Sequence, residues 1–121
     1  MIKTTIDSRA GFCFGVDMAI KKAEEALKRG EPVYCPGEMV HNAAEVQRLE
    51  ALGMKTIDRS QLEQLHDTNV LIRAHGEPPE TFAIARKNNL QVIDTTCPVV
   101  QKLQRQIANS YQKAPGAQIV I

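Results

Sequence analysis

Short β-rich runs alternate along this chain with longer stretches whose apolar residues recur every three or four positions. IKTTID (2–7) reads as a strand, and the amphipathic segment from Asp17 to Arg29 as a helix stopped by Gly30. In that helix Ala19, Ile20, Ala23, Ala26 and Leu27 share one face. On the other, Glu24 with Lys28 and Glu25 with Arg29 take the favourable i,i+4 spacing. PVYC (32–35) is a strand, GEMVH a loop, and Asn42 the N-cap of a helix with Glu45 completing a capping box and Gly53 as its end. KTID (55–58) is a short strand, and Ser60 with Glu63 caps a brief helical turn. NVLIRA (69–74), the most apolar run, reads as the central strand. A loop, HGEPPE, precedes a helix from Pro79 to about Asn88. QVID (91–94) is a further strand, TTCP leads into a helix from Pro98 to Gln112, and QIVI (118–121) begins another strand.

Strand and helix in alternation predict an α/β fold, a parallel sheet with helices on both faces. Right-handed crossovers then bring every strand-to-helix junction to one edge, outside the carboxyl ends of the strands, where such sheets bind ligands. Cys13 follows the first run, Cys35 and then His41 the second, His75 follows NVLIRA and Cys97 follows QVID. Only His66, in a polar loop, falls elsewhere and reads as a solvated surface residue.

Length and charge narrow the possibilities without naming a partner. A chain of 121 residues is one ordinary domain able to bury roughly two thirds of its unfolded surface. Fifteen Lys and Arg against 14 Asp and Glu leave a net charge of +1, with no basic run suited to nucleic acid or a membrane surface. The N-terminus lacks signal-peptide features and no apolar run approaches a membrane span, so a cytoplasmic protein is expected. Three widely spaced cysteines fit reduced thiols or ligands better than a disulfide framework.

Each candidate has a plain alternative. A free cysteine is often a small buried hydrophobe, and Cys35, at the end of an apolar strand, fits that reading best. Cys97 precedes Pro98 and so takes an N-cap position, where unpaired amides and the helix dipole favour a thiolate. Cys13 lies between Gly11 and Gly15, which allow close backbone approach, with Asp17 as cap of the following helix. His41 and His75 can each donate to a phosphate, and the nearby helix N-termini make the edge a cradle for an anion. Two thiols and two imidazoles also suggest a Cys2His2 zinc site, although the closely spaced ligand pairs usual in structural zinc are absent. Iron-sulfur ligation is compatible with one cysteine per loop, but two cysteines are too few for a complete cluster.

GFCFGV (11–16), VHN (40–42), RAHG (73–76) and TTCP (95–98), in this order and spacing, resemble the LytB family of 4-hydroxy-3-methylbut-2-enyl diphosphate reductases, the iron-sulfur enzymes that end the non-mevalonate isoprenoid pathway. The resemblance runs the length of the chain. It implies a trefoil of three α/β units around a 4Fe-4S cluster held by three cysteines. Residues 14–97 correspond to the first unit and 98–121 to the truncated start of the second, the whole chain being the N-terminal portion of the reductase. Cys13 and Cys97 match two cluster ligands, His41 and His75 match two histidines that hold the substrate diphosphate, and Cys35 matches no ligand. The family takes two electrons from a ferredoxin or flavodoxin, removes the substrate hydroxyl as water and yields isopentenyl and dimethylallyl diphosphate. The third cysteine and the proton-relay acid would lie beyond Ile121, so this portion alone is expected to be inactive. Residues 2–7 are expected to pack poorly, because that strand joins the family's last unit. The rival readings are a non-catalytic α/β module that binds anions or a partner, and a thiol-redox protein pairing Cys13 with Cys97, which lacks CxxC geometry.

Overall fold

The computed structural model describes residues 1–121. Its first helix, α1 (Phe14–Lys28), starts three residues before Asp17, because the Cys13 carbonyl accepts the first helical bond from the Asp17 amide at 3.0 Å. Cys13 is therefore the N-cap, and the Asp17 carboxylate pairs with Lys21 at 2.7 Å instead of capping. Strand β1 (Val33–Pro36) leads to α2 (Ala43–Ala51), whose N-cap is Asn42 as expected, its side chain accepting from the Glu45 amide at 3.1 Å. Glu45 does not return the bond; its carboxylate turns to Arg48, Nε to Oε2 3.0 Å. After β2 (Met54–Ile57), Asp58 caps α3 (Arg59–Gln64) in a capping box with Gln61, displacing the expected pair Ser60 and Glu63. An ionised carboxylate accepts amide bonds more strongly than a hydroxyl, and Ser60 itself donates to Asp58 at 2.8 Å.

Strand β3 (Asn69–Ile72) is buried at every residue, α4 (Pro79–Lys87) starts at the expected proline, β4 (Gln91–Asp94) has the expected bounds, and α5 (Pro98–Lys113) begins from Cys97. Two expected strands do not form. Residues 2–7 and 118–121 are exposed and outside the sheet, since β-rich composition makes no strand without a neighbour for its amides and carbonyls.

The sheet has the order β2-β1-β3-β4, and its three neighbouring pairs are all parallel. Side chains alternate across it, so β3 sends Leu71 to one face and Val70 to the other. Leu71, Val33 and Cys35 pack with Ala19, Ile20, Ala23 and Ala26 of α1 and Leu49 of α2. Val70 and Ile57 pack with Leu62 of α3, Ala85 of α4 and Leu90. Helices thus cover both faces, as the alternating pattern predicts. Burying each large aliphatic side chain stabilises by about 1.5–3 kcal/mol.

Strand order reverses between β1 and β3. From β1 the chain turns through α2 to β2 on one side, and from β3 it turns through α4 to β4 on the other. The loops 37–42 and 73–78 diverge at this point, opening the crevice in which doubly wound sheets bind ligands.

Candidate functional site at the switch point

Four junctions supply the crevice. Cys13 stands at the N-terminus of the 15-residue α1 and Cys97 at that of the 16-residue α5, with Pro98 in the first turn. His41 precedes the Asn42 cap of α2, and His75 follows β3 by three residues. All four side chains line one cavity of about 390 Å³, whose remaining wall includes Val16, Met39, Val40 and Ala74. The His41 and His75 rings are stacked, centroids 6.3 Å apart and planes 9° from parallel.

Backbone contacts set the thiol of Cys97. Its amide donates to the Ala74 carbonyl at 2.8 Å, and the Thr95 amide to the Ile72 carbonyl at 3.1 Å, so the cysteine loop is laced to the loop that bears His75. Thr95 is fully buried and its hydroxyl also donates to Ile72. Thr96 folds back on Asp94, amide to Oδ1 2.9 Å. Gly15 is the contact on the other side: a Cβ there would lie 2.7 Å from the Cys97 sulfur and 2.8 Å from its Cβ. Only a glycine lets α1 come this close.

The charges differ in kind. Partial desolvation at the crevice draws the His75 imidazole below its ordinary 6.5, and the Arg73 guanidinium adds to that, while Glu77 opposes it. The shift favours the neutral imidazole, which offers one N–H donor. Cys35 is fully buried in β1, and burial pushes its thiol up to about 12, so it belongs to the core. His66 is exposed and away from the cavity, as its polar surroundings predict. No group of three or more His, Cys, Asp or Glu side chains is clustered for a metal ion.

Several neighbours escape sequence reasoning. Arg73 and Glu77 form a half-buried ion pair, with Thr81 donating to the same carboxylate at 3.2 Å. The Arg-x-x-x-Glu spacing was the one signal available for it. A larger hollow of about 880 Å³ adjoins the crevice through His75, but neither Cys13 nor Cys97 lines it.

The family model described as LytB protein matches residues 4–121. The chain belongs to the LytB family. It is 53% identical over 118 residues to the 4-hydroxy-3-methylbut-2-enyl diphosphate reductase of Phocaeicola vulgatus, covering 98% of this chain and 41% of that protein. It is 54% identical over 121 residues to the reductase of the same name from Chlorobaculum tepidum, covering 99% of this chain and 36% of the relative. Among solved structures, (E)-4-hydroxy-3-methyl-but-2-enyl diphosphate reductase, the terminal enzyme of the non-mevalonate pathway, superposes with a TM-score of 0.76 at 40% identity. That match covers 94% of this chain and 40% of the other. The Plasmodium falciparum E-1-hydroxy-2-methyl-but-2-enyl-4-diphosphate reductase gives 0.78 at 34% identity, over 88% of this chain and 33% of its own. This LytB chain therefore spans about 40% of the length of the curated relatives it matches. Its α/β fold is that of the matching part of the solved LytB-type reductases.

Proposed function

We propose that this chain is the N-terminal part of a 4-hydroxy-3-methylbut-2-enyl diphosphate reductase, with residues 14–97 as the first of three α/β units and 98–121 as the start of the second. His41 and His75 hold the substrate diphosphate, and Cys13 and Cys97 supply two thiolate ligands of a 4Fe-4S cluster. The observation that carries this reading is the convergence of these four side chains, from four separate junctions, on one crevice at the switch point.

The donor set fits the cofactor as a partial site. Two thiols at helix N-termini face one cavity, and cysteine sulfur is the usual protein ligand of iron-sulfur clusters. Gly15 keeps the approach to Cys97 clear. Cys35 is enclosed in the core and does not line the crevice, so it is not a third thiolate ligand there. When bound, the cluster supplies Lewis acidity toward the substrate hydroxyl and the electrons for reductive dehydroxylation, drawn from a ferredoxin or flavodoxin.

The chain's own residues bind and orient. A neutral His75 donates one hydrogen bond to a diphosphate oxygen, and the stacked His41 ring presents a second imidazole beside it. Bonds to a charged acceptor are roughly twice as strong as neutral ones. The N-termini of α1 and α5 add positive potential. Val16, Met39, Val40 and Ala74 offer an apolar wall to the five-carbon skeleton and exclude water from it. The products would be isopentenyl and dimethylallyl diphosphate. No helix is long and apolar enough to cross a membrane.

Anaerobic iron-sulfur reconstitution, with and without titration by inorganic diphosphate, tests the reading. The 121-residue chain should bind diphosphate through His41 and His75 and lose it in the His41→Asn/His75→Asn double variant. It should take up iron that depends on Cys13 and Cys97 without turning over substrate. Diphosphate binding that survives loss of both histidines, or turnover by this chain alone, would overturn it. A second reading, a non-catalytic anion-binding module, rests on the stacked His41 and His75 rings at the crevice. Histidine-dependent diphosphate binding with no iron uptake under any condition would select it.

A further inference from the structure

We propose that Arg73 is a positioning residue: anchored by Glu77 in its own loop and wedged against Gly37 in the other, it sets the separation of the two histidine-bearing loops. What this does for substrate rests on the diphosphate reading above; the loop geometry itself does not.

Arg73 stands two residues before His75, and its carbonyl accepts from the Gly76 amide at 2.9 Å, closing the turn on which His75 rides. Its side chain is 21% exposed and that of Glu77 only 7%. Nε donates to Glu77 Oε1 at 2.7 Å, a second guanidinium nitrogen pairs with the same oxygen, and Thr81 at the start of α4 donates to Oε2. The guanidinium is thereby pinned from below by its own loop and by a helix.

Its free edge crosses the switch point. Nη1 lies 2.8 Å from where a Cβ on Gly37 would sit. Gly37 has φ +73, a conformation that L side chains rarely adopt, and its amide donates to the Ile57 carbonyl at 2.9 Å, so this wall is fixed too. Gly37 opens the loop that ends at His41. One rigid, planar fork therefore touches both loops, with the stacked imidazoles at their outer ends. Lysine has no such fork and could not fill both roles. A partly buried ion pair is a poor source of stability because desolvation offsets the attraction. A positioning role accounts for its place here, and the fixed positive charge beside His75 accords with it.

Imidazole proton-nitrogen spectra of the full 121-residue chain test this, because it has three histidines and His66 lies outside the crevice. Arg73→Gln should shift the signals of both His41 and His75 and leave His66 in place. Glu77→Gln, which keeps the charge at position 73 and weakens its anchor to neutral hydrogen bonds, should also move both, and it carries the test if Arg73→Gln fails to fold. Arg73→Lys should not restore the wild-type signals. Inorganic diphosphate, as probe, should bind these variants more weakly, on the order of tenfold. A His41 signal unmoved in Arg73→Gln and Glu77→Gln would confine Arg73 to its own loop and overturn the proposal. Both signals moving in a chain that binds no diphosphate would sustain the positioning role and remove the diphosphate reading. Histidine-dependent diphosphate binding with His41 unmoved would do the reverse.

Discussion

Gly15 and Cys97 are in such close contact that a methyl group on the first would lie 2.7 Å from the sulfur of the second. Gly15→Ala should destabilise the chain by about 1–3 kcal/mol through overpacking, outweighing the roughly 0.5–1 kcal/mol that alanine gains over glycine in a helix. Urea unfolding measures it. The cost should largely vanish in the Gly15→Ala/Cys97→Gly double variant compared with Cys97→Gly alone, since the two sites act through one contact. Additive effects would mean that the glycine is needed for another reason.

The three thiols should separate by reactivity. Cys13 is exposed, whereas Cys35 is enclosed in β1 with its thiol pushed up to about 12 by burial. Alkylation of the native chain followed by mass spectrometry should label Cys13 and leave Cys35 untouched until denaturant is added. Cys35→Ser should destabilise by about 1–3 kcal/mol, because it places a hydroxyl among Val33, Leu71 and Ala23. Labelling of Cys35 in the native state would contradict its place in the core.

Much of this was legible from the chain because the signals are local. Cys97 before Pro98 announces an N-cap, QVID has the bounds of β4, and handedness gathers His41, His75 and Cys97 on one edge, whereas Cys13 reaches it at the N-terminus of α1 without a strand before it. Strand order is not a local property, so the reversal between β1 and β3 that makes a crevice of that edge stayed hidden. Residues 118–121 have strand-like composition, but pairing needs a neighbour that no residue pattern can supply, whereas the exposed, unpaired state of residues 2–7 is what the family resemblance implied. Asp58 and Ser60 each begin a plausible capping template, and the stronger acceptor took the helix. The wedge of Arg73 on Gly37 links residues far apart in sequence, beyond the reach of any periodicity.

Core and peripheral positions should respond very differently to truncation. Leu71 is fully buried in an internal strand, and Leu71→Ala should cost about 2–5 kcal/mol in this chain. Leu103 on α5 is 43% exposed, and that helix buries no residue, so Leu103→Ala should change stability by no more than about 0.5 kcal/mol. Matched thermal or urea melts decide it; a large loss at Leu103 would show that α5 packs more tightly than this.

His75 should make stability depend on pH in one direction. Its folded imidazole is held below the ordinary 6.5, first by burial and then by Arg73, so on acidification the unfolded chain takes up the proton before the folded one. Where the unfolded state binds more protons, stability rises with pH. The contribution is therefore fully present above about pH 6.5, is lost as pH falls from there through the folded value, and is constant below it. His75→Asn should flatten this part of the stability profile. Saturating inorganic diphosphate should flatten it as well, because a bound polyanion favours the protonated ring and raises its folded pKa toward the unfolded one. Midpoints of urea unfolding between pH 5 and 8, with and without diphosphate, measure both effects. A profile that His75→Asn leaves unchanged would remove His75 from the groups linked to folding, and one that diphosphate leaves unchanged would argue against contact between the anion and this ring.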